Sequence, residues 1–115
     1  MTQFADWKAI GTHTKKSFGK LGKNHPKMLE AYGNLDEAIN AEGLDAKTKE
    51  LIAIAVAVTT RCESCIAVHT EKALAAGASD AEIAGALATA ISLNAGATYA
   101  YALRAMEAVE QHKGE

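Results

Sequence analysis

Glu50, Cys62, Cys65 and His69 have the types and spacing of a thiol redox site. Cys62 and Cys65 are the two cysteines of the chain, and the short gap of Glu63-Ser64 lets their sulfurs exchange a disulfide. His69 follows Cys65 by four residues, so on a helix the imidazole shares its face one turn further along, placed to accept or relay a proton. Glu50 lies eleven residues before Arg61 and His69 eight after it. If the chain turns back at Arg61 as a helical hairpin, the carboxylate and imidazole meet at levels differing by about 4–5 Å, given a rise of 1.5 Å per residue. Glu50 then orients His69, and the three groups form a carboxylate–imidazole–thiol relay of the kind that activates nucleophilic cysteines.

The local setting favours a thiolate. Cys62 and Cys65 fall at the start of the helix expected after Thr60-Arg61. Unpaired backbone N–H groups and the positive end of the helix dipole stabilise negative charge there. Together with Arg61, this position is expected to lower the thiol pKa from its ordinary value of about 8.5.

The elements that must hold these groups read as helices. Phe4, Trp7, Ile10, Phe18 and Leu21 follow a loose helical stripe, and Met28, Leu29, Tyr32, Leu35 and Ile39 a tight one. Pro26, the single proline, marks the boundary between them, and Gly43 fits the end of the second. Asp45 can cap a helix over about 46–60. Ile52, Ile54, Val56 and Val58 alternate with alanine there as a strand would. Helix is the better reading, because the segment is long for a strand, alanine is the best helix former, and the chain offers no strand partner. A helix over about 63–76 ends at Gly77, and Ser79 with Glu82 makes a capping box for the next, which carries Ile83, Leu87 and Ile91 on one face. Asn94-Ala95-Gly96 is read as a break, followed by a last helix over about 98–111 that buries Leu103 and Met106, with Tyr99 and Val109 as further candidates. The expectation is an all-α bundle of about six helices with the Cys-x-x-Cys at a helix N-terminus.

A chain of 115 residues, with no repeat, linker or low-complexity segment, is read as one domain over 1–115. Alanines number twenty-five and aromatics make up only 5%, so the core must consist largely of small side chains on closely packed helices. Such a core gains little per residue, at about 25 cal/mol per Å² buried, and association into an oligomer is expected to add burial. Net charge is −2, unevenly spread. Lys8, Lys15, Lys16, Lys20, Lys23 and Lys27 stand against Asp6 alone in the first 27 residues. That segment has no arginine and no basic run longer than two, so it is read as a solvated face, with no nucleic-acid partner. The uncharged run Leu51 to Thr60 is far below the ~20 residues of a membrane span, and Met1 to Ile10 has no apolar signal-peptide core. No membrane partner is expected, and a cytoplasmic location is. In that reducing compartment a lone Cys-x-x-Cys is more often catalytic or metal-binding than structural.

The spacing of Glu50, eleven residues, Cys62-x-x-Cys65, three residues and His69 resembles the core motif of alkylhydroperoxidase D proteins within the carboxymuconolactone decarboxylase family. The likeness runs from about Met28 to Leu103. It implies an α-helical homo-oligomer, a trimer or hexamer, that reduces an alkyl hydroperoxide with its cysteine pair. In that scheme Cys65 attacks the peroxide and becomes a sulfenic acid, Cys62 resolves it to a disulfide, and an external thiol or dithiol donor restores the pair. Glu50 and His69 move the proton, and no cofactor or metal is required. The residue chemistry alone is compatible with those roles and does not by itself exclude Cys62 as the first nucleophile. Many peroxidase members of that group have a second histidine between the cysteines, where this chain has Ser64. Lactone-decarboxylating members generally lack the cysteine pair, which argues against decarboxylation here.

Three other uses of the same side chains compete. Zinc could be held by Cys62, Cys65 and His69 with Glu50 or water, although structural zinc usually draws on two separated ligand pairs and this chain has one. The thiols could be incidental in a structural oligomer, or the dithiol could reduce protein disulfides. His13, His25 and His112 have no matching partners and read as surface residues, and Asn94, Tyr99 and Tyr101 as core or interface.

Overall fold

Five helices, joined by short turns, make up the computed structural model, which describes residues 2–114: α1 (Trp7–Asn24), α2 (Pro26–Ala41), α3 (Ala46–Thr60), α4 (Glu63–Ala75) and α5 (Asp80–His112). Among the described residues there is no strand. Each helix starts at a side chain that satisfies a free backbone donor. Asp6 accepts from the Ala9 N–H at 3.0 Å and Asp45 from the Thr48 N–H at 2.8 Å. That hydrogen bond holds the Asp45 carboxyl below its ordinary range. Ser79 and Glu82 form the expected capping box at α5. His25 is exposed, as expected, but it also shapes the chain: it ends α1, and its Nδ1 accepts the Met28 N–H at 3.2 Å to begin α2, with Pro26 in the first turn.

The alternation in α3 does not make a strand. On a helix, Ile54 and Ala57 turn inward while Ile52 and Val56 face out, so the apolar residues serve two faces rather than one. The core is made of small residues, as the composition implied: Ile54, Ala73 and Ala78 pack with Leu51, Ile83 and Leu87, and Ala57, Ala67 and Ala90 are also buried. Ile54 is the largest fully buried side chain. Burying one such side chain contributes about 1.5–3 kcal/mol, and an alanine far less.

Three expectations about the C-terminal third are corrected. Asn94-Ala95-Gly96 does not break the helix, and α5 runs through it for 33 residues, about 50 Å at 1.5 Å per residue. The Asn94 amide instead donates to the Ala90 carbonyl and to Thr59 Oγ1 at 2.7 and 2.8 Å, which anchors α5 to the end of α3 without leaving the helix. The bundle therefore has five helices, not six. Ile91 lies off the packed face, and Leu103, Met106, Tyr99 and Val109 are exposed, because no other described helix packs along that far part of α5. The stripe on α2 is likewise largely uncovered: Met28, Tyr32, Leu35 and Ile39 are each more than half exposed, and among the described residues α2 packs mainly against α1. Phe4 precedes α1 and is fully exposed, whereas Trp7 and Ile10 are partly buried.

The resulting shape is open. The radius of gyration is 19.0 Å, against about 13 Å for a compact domain of roughly this length. The longest uncharged run of the chain is Ile83 to Leu103 inside α5, but it is interrupted by glycine, threonine, serine and asparagine. No described helix is long and apolar enough to cross a membrane.

Candidate functional site

The turn between α3 and α4 builds the site. Arg61 caps α3 in the left-handed conformation, at φ 55° and ψ 47°, an uncommon state for a residue with a side chain. It reverses the chain within two residues, and Arg61 and Cys62 both donate their N–H groups to the Ala57 carbonyl. Cys62 is extended and is the N-cap of α4, where its Sγ accepts the Cys65 N–H at 3.2 Å. The position expected to favour negative charge is therefore a sulfur cap, with Cys62 supplying the capping atom and Cys65 one turn in. The two sulfurs are joined in a disulfide, with the Cα atoms 5.2 Å apart. A zinc site built on both thiolates is incompatible with that bonded state.

Because α4 folds back along α3, Glu50 and His69 meet as the spacing predicted. Their Oε2 and Nδ1 atoms are 2.7 Å apart, and both side chains are mostly buried, at 18% and 30% exposure. With Nδ1–H donating to the carboxylate, the imidazole keeps its lone pair at Nε2 and can take or give a proton there.

Beside this pair lies an open cavity of about 540 Å³. The α3 wall is formed by Ile52, Ala53, Val56, Ala57 and Thr60, and the end of α2 with the following turn adds Ile39, Glu42 and Leu44. Cys65 and His69 line it from α4, whereas Cys62 and Glu50 do not. Of the bonded pair, Cys65 thus lines the cavity, while the Cys62 sulfur sits at the helix cap. Lys49 also lines the cavity, and its Nζ donates to Asn40 Oδ1, tying α3 to α2 at that edge.

All four residues singled out from the sequence are brought together. Asn94, Tyr99 and Tyr101 are not near them: Asn94 joins α5 to α3, and the two tyrosines are exposed, with the Arg104 guanidinium 4.9 Å from the Tyr101 ring centre. His13 and His112 are exposed. One contact at the motif had no signal in the sequence: Thr14 Oγ1 of α1 donates to Ser64 Oγ, between the cysteines, at 2.9 Å. Its partners are 50 residues apart, and although Ser64 sits within the Cys-x-x-Cys motif, nothing in the sequence pairs it with Thr14.

The chain is similar to an uncharacterized protein of Haemophilus influenzae, 66% identical over 96% of this chain and 98% of the relative. It is also similar to an uncharacterized protein of Cupriavidus necator, at 35% identity over 88% and 90%, and to uncharacterized protein 4 in the cox locus of Paracoccus denitrificans, at 34% over 85% and 89%. The crystal structure of a protein from Methanobacterium thermoautotrophicum superposes with a TM-score of 0.67 at 36% identity, covering 71% of this chain and 93% of that one. The model of the carboxymuconolactone decarboxylase family matches residues 26–108, which span α2 to α4 and most of α5 with the whole Glu50–Cys62–Cys65–His69 constellation. This chain belongs to the carboxymuconolactone decarboxylase family.

Proposed function

We propose that this protein is a thiol-dependent alkyl hydroperoxide reductase that cycles Cys62 and Cys65 between dithiol and disulfide. The observation that carries this reading is the placement of Cys65 and His69 on one wall of a largely apolar cavity, with Glu50 bonded to the imidazole behind them. The Cys65 thiolate attacks the distal peroxide oxygen, the O–O bond breaks, and the alkoxide leaves with a proton supplied through His69. The cysteine sulfenic acid so formed is attacked by the Cys62 sulfur, the S–O bond breaks, and hydroxide leaves as water with a second proton. Two thiols and ROOH give a disulfide, ROH and water. An external thiol or dithiol then returns two electrons and two protons to the pair. As the cap of α4, Cys62 has a backbone N–H aimed at its sulfur, which favours the thiolate needed for the second step.

The working form in this reading is a homo-oligomer, a trimer or hexamer. The uncovered apolar stripes of α2 and of α5 beyond Asn94 support it, since a chain this open buries little on its own. A cycling dithiol also fits a reducing compartment such as the cytoplasm.

The test is stoichiometric. Reduced, metal-free protein treated with an alkyl hydroperoxide should lose two thiols and two mass units per chain, reversibly with a dithiol. Thiols that stay reduced at millimolar peroxide, or that are masked by zinc beforehand, would refute the proposal.

A further inference from the structure

The helix that packs behind the cysteine pair lies ahead of the segment that the family model matches, since that match begins at residue 26 and α1 ends at Asn24. α1 packs on α4 with its less exposed face, which carries Trp7, Ile10, Gly11 and Thr14. A Cβ added at Gly11 would stand 3.9 Å from the Ala67 Cβ, so the two helices approach closely there. Thr14 donates to Ser64 at 2.9 Å in a partly buried setting, and Lys15 pairs with Glu71 at 3.5 Å on the exposed flank. With successive side chains turned by roughly 100° along a helix, Ser64, Ala67 and Glu71 share the side of α4 turned away from Cys65 and His69. α1 is thus a backstop to the helix whose opposite side carries the chemistry.

Ser64 is the second residue of α4, inside the ring closed by the disulfide. Opening that ring frees the first turn of α4 to relax, and a bond from α1 to Ser64 resists the relaxation. An interaction that is stronger in the disulfide form than in the dithiol form shifts the equilibrium toward the disulfide by the difference. We infer that Thr14 is a positioning residue for the dithiol, holding Ser64 so that the Cys62–Cys65 disulfide is harder to reduce than the cysteine pair alone would make it. The inference rests on the dithiol–disulfide cycling proposed above, though not on peroxide being the oxidant.

The measurement is the equilibrium of the full-length chain with dithiothreitol at fixed pH, read by alkylation and intact mass. In this exchange the protein disulfide gains two electrons and two protons, and the reagent's two thiols close to its cyclic disulfide. Thr14→Val keeps the shape and removes the donor. It should make reduction about fivefold more favourable, a rise in potential of about 20 mV. Thr14→Ser should restore the wild-type value, and Thr14→Val in a Ser64→Ala background should add nothing further. Lys15→Ala, which breaks the exposed contact between the same two helices, should leave the potential unchanged. An unchanged potential in Thr14→Val, an equal shift from Lys15→Ala, or full additivity with Ser64→Ala would each overturn the inference while leaving the redox cycle standing. A wild-type pair that excess dithiothreitol fails to reduce would overturn both.

Discussion

The two halves of α5 are alike in sequence and opposite in circumstance. Before Asn94 the helix lies on α3, with Ile83 and Leu87 packed against the core and Ala90 buried. After Asn94 it carries Tyr99, Leu103, Met106 and Val109 at similar helical spacing, and every residue through Gly114 is exposed. The same contrast separates the α3–α4 hairpin, which holds the site, from α2, whose apolar stripe packs mainly on α1 and is largely exposed. A helical stripe therefore tells which face is apolar without telling what covers it. The covered region positions the chemistry through contacts within one chain, and the uncovered region offers surface that only another molecule can bury.

Substitutions in the two regions should have separable effects. The largest belongs to the covered region: His69→Gln should slow peroxide consumption about 10²- to 10⁴-fold, the range of lost proton transfer, while sedimentation shows unaltered assembly. Loss of assembly in that variant would mean that the site and the interface are not separable. Ile54→Ala removes the largest fully buried side chain and should cost about 3 kcal/mol in urea unfolding. In the uncovered region, Leu103→Asp combined with Met106→Asp should shift the proposed oligomer toward monomer by tenfold or more in concentration while leaving the proposed Cys62–Cys65 redox cycle intact. A loss of unfolding stability in the monomer comparable to that of Ile54→Ala would contradict that division, because those side chains would then be part of the chain's own core.

Smaller effects lie at the helix starts. Ser79→Ala removes half of the capping box and should cost about 1 kcal/mol, read as a lower unfolding midpoint. The pair Lys47–Glu82, 2.9 Å apart, ties the start of α3 to that of α5 and holds the Glu82 carboxyl below its ordinary range, and the Thr48 N–H does the same for Asp45. Folded-state values below the unfolded ones mean that both carboxylates contribute stability above the ordinary carboxylate range, and that this contribution is lost as pH falls through and below it. Glu82→Gln should flatten the acid limb of the stability profile. An acid limb of unchanged slope would remove Glu82 from this role.

Much of the covered region was legible in the residues. Asp45, Ser79 and Glu82 are local capping signals, and the four-residue offset of His69 from Cys65 is a statement about one helix. The meeting of Glu50 with His69 needed only one further assumption, that the chain reverses at Arg61, and the left-handed cap supplies the reversal. Asn94-Ala95-Gly96 misled because glycine and asparagine often end helices, and the asparagine's tie to Thr59 and Ala90, which leaves α5 unbroken, is visible only in three dimensions. Leu103 and Met106 misled because periodicity was read as burial.

By itself, the sequence determined the all-helical fold, the caps at Asp45 and Ser79, the small-residue core and the grouping of Glu50, Cys62, Cys65 and His69, all of which rest on interactions within a few residues or on periodic repetition. Only the tertiary structure decided that Cys65 rather than Cys62 lines the cavity, that α1 reaches Ser64, and that α2 and the end of α5 lie uncovered. Those outcomes depend on how helices cross and how far they extend past one another, and no local pattern encodes a contact between residues 50 positions apart such as Thr14 and Ser64.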